Sequence, residues 1–268
     1  MSSARELPGA ATFRVVIPAR FGSTRLPGKA LLPLAGKPML QWVYEAARAS
    51  GAREVLIATD DERIVRAAQS FGAAAVMTAT GHASGTDRIA EVARAQRWDP
   101  HDIVVNVQGD EPLMPAAVIA QTAALLGAEP QAHIATLATP IESLSELLDP
   151  NVVKVVTDAR GMALYFSRAP IPWNRDSATA GIVSQTDCSG ARRHRGIYAY
   201  RVAALLRLAQ LPHGVLEQRE KLEQLRALEH GLAICVDDAL ERPGPDVNTL
   251  ADLQHVAAVI AARPGRTV

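Results

Sequence analysis

The chain has 268 residues, 48% of them hydrophobic and 21% charged, which is the balance of a globular protein with a sizeable core and excludes a disordered or collagen-like chain. Its 28 basic and 28 acidic side chains cancel, so no overall charge attracts nucleic acid or an acidic membrane surface. The spacing of Cys188 and Cys235 predicts neither a disulfide framework nor a zinc site, no apolar run approaches the roughly 20 residues of a membrane span, and we expect a cytoplasmic protein.

Predicted strands and helices alternate through the first part of the chain. Apolar runs predict strands at 13–17, 55–58, 74–77 and 103–107, and amphipathic segments predict helices at 39–49, 62–71 and 87–98. Because strands that are apolar on consecutive residues are buried on both faces, we expect an α/β fold with a mainly parallel central sheet. Ligands of such sheets bind at the carboxyl ends of the strands.

After Pro140 the pattern changes to that of a smaller antiparallel lobe. Strands at 152–157 and 163–167 are joined by a turn, and a polar surface loop follows at 174–191. The remaining predicted elements are a strand at 196–200, helices at 202–209 and 216–230, a strand at 233–236 and a closing helix at 250–262. No linker or repeat divides the chain, so we expect a single domain over 13–262 behind a flexible extension at 1–12.

A loop rich in glycine and basic residues follows the first predicted strand. The segment 18–29, PARFGSTRLPGK, has the composition of a phosphate-binding loop, with backbone N–H groups, an arginine fork and a lysine available to an anion. It is not a Walker A loop, because five residues separate Gly22 from Gly28 and Ala30 replaces the Ser or Thr that would hold Mg²⁺. On composition alone, a solvated basic loop is an equally good interpretation.

Seven further segments resemble, together with this loop, the sequence motifs of a known family. They are ATDDERI at 58–64, GHASGTDRIAEV at 81–92, VVNVQGDEPLMP at 104–115, NVVKVVTD at 151–158, ALYFSRAPIPW at 163–173, RHRGIYAYR at 193–201 and LEQLRALEHG at 222–231. In these segments and in the first loop, this chain resembles the 3-deoxy-manno-octulosonate cytidylyltransferase (CMP-Kdo synthetase) family of sugar nucleotidyltransferases. The resemblance covers about 13–253.

The resemblance implies a Rossmann-like nucleotidyltransferase fold and a Mg²⁺-dependent reaction. The implied reaction transfers CMP from CTP to the anomeric C2 hydroxyl of 3-deoxy-D-manno-octulosonate (Kdo), releasing pyrophosphate, for lipopolysaccharide biosynthesis. It also implies a homodimer. The CTP-binding part would span about 13–140, the sugar-binding and dimerisation lobe about 150–232, and a closing segment 233–262.

The resemblance also assigns the nucleotide-binding residues. The catalytic set is Arg20, Arg25, Lys29 and Asp110, and the CTP-binding set is Arg20, Ser23, Lys29, Ser84, Gly85 and Gln108. The arginines and the lysine would neutralise the leaving pyrophosphate, and the small residues at 84–85 would let the backbone approach the base. Taken without the family, Asp110 fits a simple turn and Ser84 fits a helix N-cap, a role compatible with ligand binding.

The metal ligands implied by the family are Asp110 and the residue at position 248. The family shows Gly-Val-Asp-Thr-x-x-Asp-Leu near its end, whereas this chain has Asp-Val-Asn-Thr-Leu-Ala-Asp-Leu at 246–253. Asn248 therefore stands where the family has an aspartate. Since an amide oxygen brings no charge, we expect weaker Mg²⁺ binding, or the use of Asp246 as a substitute.

For the acid sugar, the resemblance indicates Arg168, His194, Tyr198, Glu223 and Gln224. A sugar that carries a carboxylate and several hydroxyls requires a cation and a mixed wall of donors and acceptors. The residues alone allow plainer roles, because a strand-end arginine is often a surface residue, alternating tyrosines often pack a sheet, and polar residues often form the solvated face of a helix.

Two alternative functions remain open at this point. One is a cytidylyltransferase for another acid sugar, either 8-amino-Kdo or a sialic acid, although the segments at 193–201 and 222–226 favour Kdo over sialic acid. The other is a non-catalytic homologue that binds CTP or Kdo, for which Asn248 is the supporting feature. Pyrophosphate release from CTP in the presence of different acid sugars distinguishes the three.

Overall fold

The computed structural model describes residues 12–22, 26–177 and 180–262. The predicted extension at 1–12 lies almost wholly outside the described residues, as do Ser23 and Arg25 of the first loop. Of the helices in the described ranges, none is both long enough and apolar enough to cross a membrane.

The described strands form a mixed sheet in the order β11-β7-β10-β6-β1-β4-β5. Their bounds are β1 Phe13–Ala19, β2 Pro33–Leu34, β3 Lys37–Pro38, β4 Glu54–Thr59, β5 Ala74–Met77, β6 Ile103–Asn106, β7 Ile134–Pro140, β8 Lys154–Thr157, β9 Ala163–Ser167, β10 Arg192–Arg201 and β11 Ile234–Asp238. Pairing is parallel from β6 through β1 and β4 to β5, and again between β7 and β11. The predicted α/β fold with a mainly parallel sheet is confirmed.

Antiparallel pairing is concentrated around β10, which lies between β6 and β7. The β8–β9 hairpin joins the edge of β10 through Arg193 and Lys154, and β2 and β3 form a separate two-stranded sheet. Between Arg195 and Tyr198 the register of β10 with β7 shifts. The strand predicted at 196–200 is twice as long as expected, since β10 spans Arg192–Arg201. It brings residues of the antiparallel lobe into the central sheet.

The helices cover both faces of the sheet. They are α1 Met39–Ala49, α2 Glu62–Ser70, α3 Gly85–Ala95, α4 Ala116–Ala128, α5 Leu144–Leu148, α6 Val202–Leu208, α7 Val215–Glu220, α8 Gln224–Glu229 and α9 Leu250–Ala261. One core packs α1, α2 and α4 on one face, and a second packs α3, α6 and α8 on the other. Because both faces are covered, β1 and β6 are almost entirely buried, as expected of strands that are apolar except for Arg14 and Asn106.

The single helix predicted at 216–230 is wrong, because the structure has two short helices there. Helix α7 ends at Glu220, and the next residue, Lys221, adopts a left-handed conformation with φ 55° and donates its N–H to the carbonyl of Glu217. A residue other than glycine rarely adopts this conformation, and here it separates the two helices. The segment 116–140, for which the sequence pattern gave no element, forms α4 and β7.

Candidate active site

The first loop closes on itself at the end of β1. Gly28 has φ 68°, and its N–H donates to the carbonyl of Phe21 over 2.9 Å. A Cβ atom at this position would lie 3.0 Å from the ring of Phe21, so both the backbone conformation and the close approach require glycine. Lys29 follows directly, at the start of a 3₁₀ turn, and is thereby held at the carboxyl end of the sheet.

Lys29, Asp110 and the closing segment meet at this edge. The Lys29 ammonium forms an ion pair with Asp110 and donates to the carbonyl of Val247 over 3.1 Å. The N–H of Val247 in turn donates to the Asp110 carbonyl over 2.9 Å. The segment that contains Asn248 therefore reaches Asp110, as the expected metal site requires.

Glu111 lies close to the charges of both Asp110 and Asp246. Burial, followed by the charges of Asp246 and Asp110, raises the pKa of Glu111 to about 8. The Asn248 N–H donates to Asp252 over 2.9 Å, and Asp252 also forms the capping box of α9 with Thr249. Sequence reasoning missed Glu111, although it follows Asp110 directly, because nothing in the sequence indicates that its side chain is buried.

The loop before α3 approaches both the first loop and the end of β6. Ser84 and Asp87 form a capping box, which confirms the N-cap role of Ser84. A Cβ atom at Gly85 would lie 3.1 Å from Pro18 and 3.4 Å from the side-chain amide of Gln108. Glycine therefore allows the start of α3 to lie against these two residues.

A first cavity of about 270 Å³ joins these elements. It brings together the described residues predicted to bind nucleotide, which are Arg20, Lys29, Ser84, Gly85, Gln108 and Asp110. Two residues that sequence reasoning missed, His82 and Arg88, also line it. Arg88 is buried and bonds to Asp60 over 2.8 Å, so it holds the loop before α3 rather than offering an unpaired cation to a ligand.

A second, smaller cavity of about 100 Å³ adjoins the first and shares Gly85 and Gln108 with it. Three residues predicted to bind the sugar line it, namely Tyr198, Glu223 and Gln224. Within the described residues, Glu223 Oε1 and Gln224 Nε2 are buried without a hydrogen-bond partner. Because such groups are costly to leave unpaired, an acceptor and a donor here favour a polar ligand.

Tyr200, Asn106 and Thr86 also line the second cavity, and sequence reasoning did not select them. Tyr200 was considered only as a packing residue, although it alternates with Tyr198 along β10 and the two rings stack at 5.8 Å. Interaction with the Thr86 side chain partly offsets the effect of burial on the pKa values of Tyr200 and Glu223. Burial, together with the charge of nearby Glu223, raises the pKa of Tyr200 far above its usual value, so its hydroxyl keeps its proton.

Arg168 lines neither cavity. Its Nε donates to the carbonyl of Glu220 over 2.7 Å, its Nη1 donates to the carbonyl of Pro150 over 2.9 Å, and its backbone N–H donates to the Glu220 carboxylate. Beside it, the buried ammonium of Lys154 donates to the carbonyl oxygens of Asp149, Val152 and Arg168. In this structure Arg168 thus joins three segments of backbone. The guanidinium predicted to bind the sugar carboxylate forms its hydrogen bonds with backbone carbonyls.

His194 also lines neither cavity. Its ring packs between Phe166 and Tyr198, at 5.0 and 5.3 Å between centroids. The Thr136 hydroxyl donates to the carbonyl of Ile197 over 2.7 Å, so it accepts from Nε2 of His194 over 3.0 Å. Burial, with a smaller effect of the Arg195 charge, lowers the pKa of His194 to about 3, which makes the imidazole a poor general base.

The pKa of His194 predicts a contribution to acid unfolding. His194 binds a proton near pH 6.5 in the unfolded chain and only near pH 3 in the folded chain. The stability of the folded chain therefore falls as the pH drops from 6.5 to 3, and the folding equilibrium constant decreases by up to about tenfold per pH unit. His194→Gln should flatten this fall, because its amide still donates to Thr136 without titrating. Urea midpoints between pH 4 and 7 measure the slope, with exposed His255→Gln as the control. Equal slopes in the two variants would contradict a neutral His194.

The comparisons with known proteins agree with one another. The cytidylyltransferase family profile matches residues 14–234. A 3-deoxy-manno-octulosonate cytidylyltransferase from Pseudomonas fluorescens is 54% identical over 250 residues, which cover 93% of this chain and 98% of the relative. One from Thioalkalivibrio sulfidiphilus is 52% identical and covers 94% and 100% of the two chains.

A solved structure gives the same result. The structure of CMP:2-keto-3-deoxy-manno-octonic acid synthetase complexed with CTP matches with a TM-score of 0.83 and 43% identity, covering 94% of this chain and 99% of that one. The chain belongs to the 3-deoxy-manno-octulosonate cytidylyltransferase family.

Proposed function

We propose that this chain transfers CMP from CTP to the C2 hydroxyl of Kdo and releases pyrophosphate, in the cytoplasm and for lipopolysaccharide biosynthesis. The observation that carries the proposal is the pair of adjoining cavities. The larger one joins Arg20 and Lys29 to Asp110. The smaller one presents Glu223 Oε1 and Gln224 Nε2, which have no hydrogen-bond partner among the described residues. The first suits a triphosphate and the second a polyhydroxylated acceptor.

The wall that the two cavities share supports a common meeting point for the two substrates. Gly85 and Gln108 line both cavities, so the α-phosphorus of the nucleotide and the attacking hydroxyl come together beside them. In this arrangement, Ser84 and Gly85 contact the nucleoside, and Arg20 and Lys29 neutralise the charge that develops on the leaving pyrophosphate. We assign Arg25 and Ser23 to the same phosphate site on the family resemblance, since both lie outside the described residues.

The residues around Asp110 fit a magnesium ion. Mg²⁺ is usually held by one or two carboxylates together with substrate phosphates, and Asp110, with Asn248 on the adjoining segment, would hold it here. Among the described residues, no group of three or more His, Cys, Asp or Glu side chains is placed to hold a metal ion. Bound there, the ion supplies positive charge to the triphosphate and acidifies the attacking hydroxyl.

Asn248→Asp should lower the Mg²⁺ concentration that gives half the maximal rate. A carboxylate is nearly isosteric with the amide and adds a negative charge on a segment that reaches Asp110 through Val247. Initial rates across a Mg²⁺ titration measure the change, and the apparent KM for Kdo should stay nearly constant. An unchanged Mg²⁺ curve would contradict the role of Asn248, and Asp246→Ala in the same assay would then test Asp246 as the ligand.

We also propose a homodimer formed through the lobe at about 150–232. Large apolar side chains are exposed on its surface, including Leu164, Trp173 and Ile182, and burying them between two copies would remove apolar surface from water. Sedimentation equilibrium should give about twice the chain mass of 28.5 kDa. A single species of the chain mass at micromolar concentration would contradict the dimer.

The experiment that tests the proposed activity measures pyrophosphate release from CTP with Kdo, 8-amino-Kdo and a sialic acid in parallel. We expect Kdo to support the largest kcat/KM. Release with a sialic acid or 8-amino-Kdo in preference to Kdo would change the assigned acceptor. No release with any acid sugar, in a protein that still binds CTP, would indicate a non-catalytic homologue.

A further inference from the structure

The two unpartnered groups of the second cavity lie at the corner between α7 and α8. Glu223 and Gln224 follow Lys221, the residue whose left-handed backbone separates the two helices. Each helix has only six residues, too few to be stable by itself. The positions of Glu223 and Gln224 therefore depend on whatever fixes this corner.

A buried ion pair connects the two helices across the corner. Arg226 of α8 donates from Nε to Glu217 Oε2 over 3.0 Å and from Nη2 to Glu217 Oε1 over 2.9 Å, which is a two-pronged contact with α7. Arg226 is 4% exposed and Glu217 is 8% exposed, so water does not loosen the pair. Arg226 Nη1 also lies 3.4 Å from the carbonyl of Leu208, at the end of α6.

This pairing determines what Glu223 can offer a ligand. Arg226 Nη2 is 3.7 Å from Glu223 Oε1, too far for a hydrogen bond, because its donors are directed at Glu217. Glu223 thus lies beside a cation while its Oε1 has no hydrogen-bond partner in the described residues. An acceptor oxygen held in this way can take a hydrogen bond from a sugar hydroxyl.

The opposite side of the corner is anchored separately. Glu220, the last residue of α7, accepts from Ser167 Oγ over 2.6 Å and from the Arg168 N–H over 2.9 Å, which fixes α7 to the end of β9. The Arg226–Glu217 pair is the corresponding anchor of α8. Both ends of the corner are therefore fixed by contacts to side chains outside the cavity.

We propose that Arg226, through its pair with Glu217, is a positioning residue for the acceptor sugar. It holds Glu223 and Gln224 where they meet the sugar hydroxyls, and it touches neither substrate. The inference rests on the proposed function, because it names what sets affinity at the acceptor side of that same site. Its specific consequence is that disturbing the pair raises the KM for Kdo while the KM for CTP stays constant.

The test replaces both members of the pair by apolar residues of similar length, Glu217→Leu with Arg226→Met. Exchanging a buried ion pair for apolar side chains commonly preserves folding, whereas removing one partner leaves a buried charge. We expect a thermal midpoint within a few degrees of the parent, an unchanged KM for CTP and a KM for Kdo raised at least about tenfold, the effect of misplacing one or two hydrogen bonds. Arg219→Met, an exposed change on α7, is the control and should alter neither KM.

Arg226→Lys provides a second variant, since lysine keeps the charge and loses the fork. It should move the KM for Kdo in the same direction. An unchanged KM for Kdo in either folded variant, or an equal rise in both KM values, would overturn the proposal. Loss of folding in both variants would also overturn it, because the pair would then be required for folding itself. A failure of the proposed function itself would be distinguished by the unaltered protein, which would then release no pyrophosphate from CTP in the presence of Kdo.

Discussion

Replacing Asp110 by asparagine should lower turnover with CTP and Kdo by at least about two orders of magnitude, the usual cost of losing a charged contact to the transition state. The change removes the negative charge and keeps the shape. The backbone carbonyl of Asp110 still accepts from Val247, so the closing segment stays attached. The side chain of Asp110 is 27% exposed and that of Lys29 is 17% exposed, so solvent still reaches both members of the ion pair that the change breaks.

The measurement is kcat across a Mg²⁺ titration, accompanied by a thermal midpoint. Asp237→Asn is the matched control, because Asp237 is an exposed aspartate on β11 that lines neither cavity. Near-normal turnover by the Asp110 variant at every Mg²⁺ concentration would remove Asp110 from the catalytic site. A large fall in the midpoint would instead assign it a structural role.

Gly85→Val should also abolish most of the activity, with a loss of about two orders of magnitude in kcat/KM for both substrates, as expected when reacting groups are displaced by about 1 Å. The new side chain would stand at the wall that the two cavities share, 3.1 Å from Pro18 and 3.4 Å from the amide of Gln108. The backbone of Gly85 is not left-handed, so a side chain is tolerated there conformationally.

Gly81→Val is the matched control for this variant. Gly81 belongs to the same loop, is exposed, and has no atom within 4 Å of the position that a Cβ would take. Steady-state kinetics with CTP varied and then with Kdo varied should show the combined loss in the Gly85 variant only. If the Gly85 variant lost affinity for one substrate and retained the other, the shared wall would not be the place where the substrates meet.

The parts of the structure that the sequence predicted are those with a strong local signal. Largely apolar runs predicted β1 and β6 as buried strands, and a chain that follows a parallel strand emerges at the ligand-binding edge. This is why Lys29 and Asp110, far apart in sequence, were expected together and form an ion pair. The N-cap of α3 was likewise evident from Ser84.

The parts that the sequence did not predict depend on contacts between distant segments. The break at Lys221 lacks a glycine or proline, and the structure associates it with the pairs Arg226–Glu217 and Arg168–Glu220, which no local pattern reveals. The contacts of Arg168 also have no local pattern, because its side chain bonds to backbone carbonyls of two other segments. A charged residue type alone does not indicate which of several partners within reach it will bind.

In the proposed reaction, the C2 oxygen of Kdo bonds to the α-phosphorus of CTP where the two cavities adjoin. Incubating the protein and Mg²⁺ with CTP and Kdo labelled with ¹³C at C2, and recording ¹³C and ³¹P spectra, tests this bond directly. We expect the labelled carbon signal to split by coupling to one phosphorus, together with one phosphodiester signal and free pyrophosphate. A labelled carbon that stays unsplit while CTP is consumed would contradict the account.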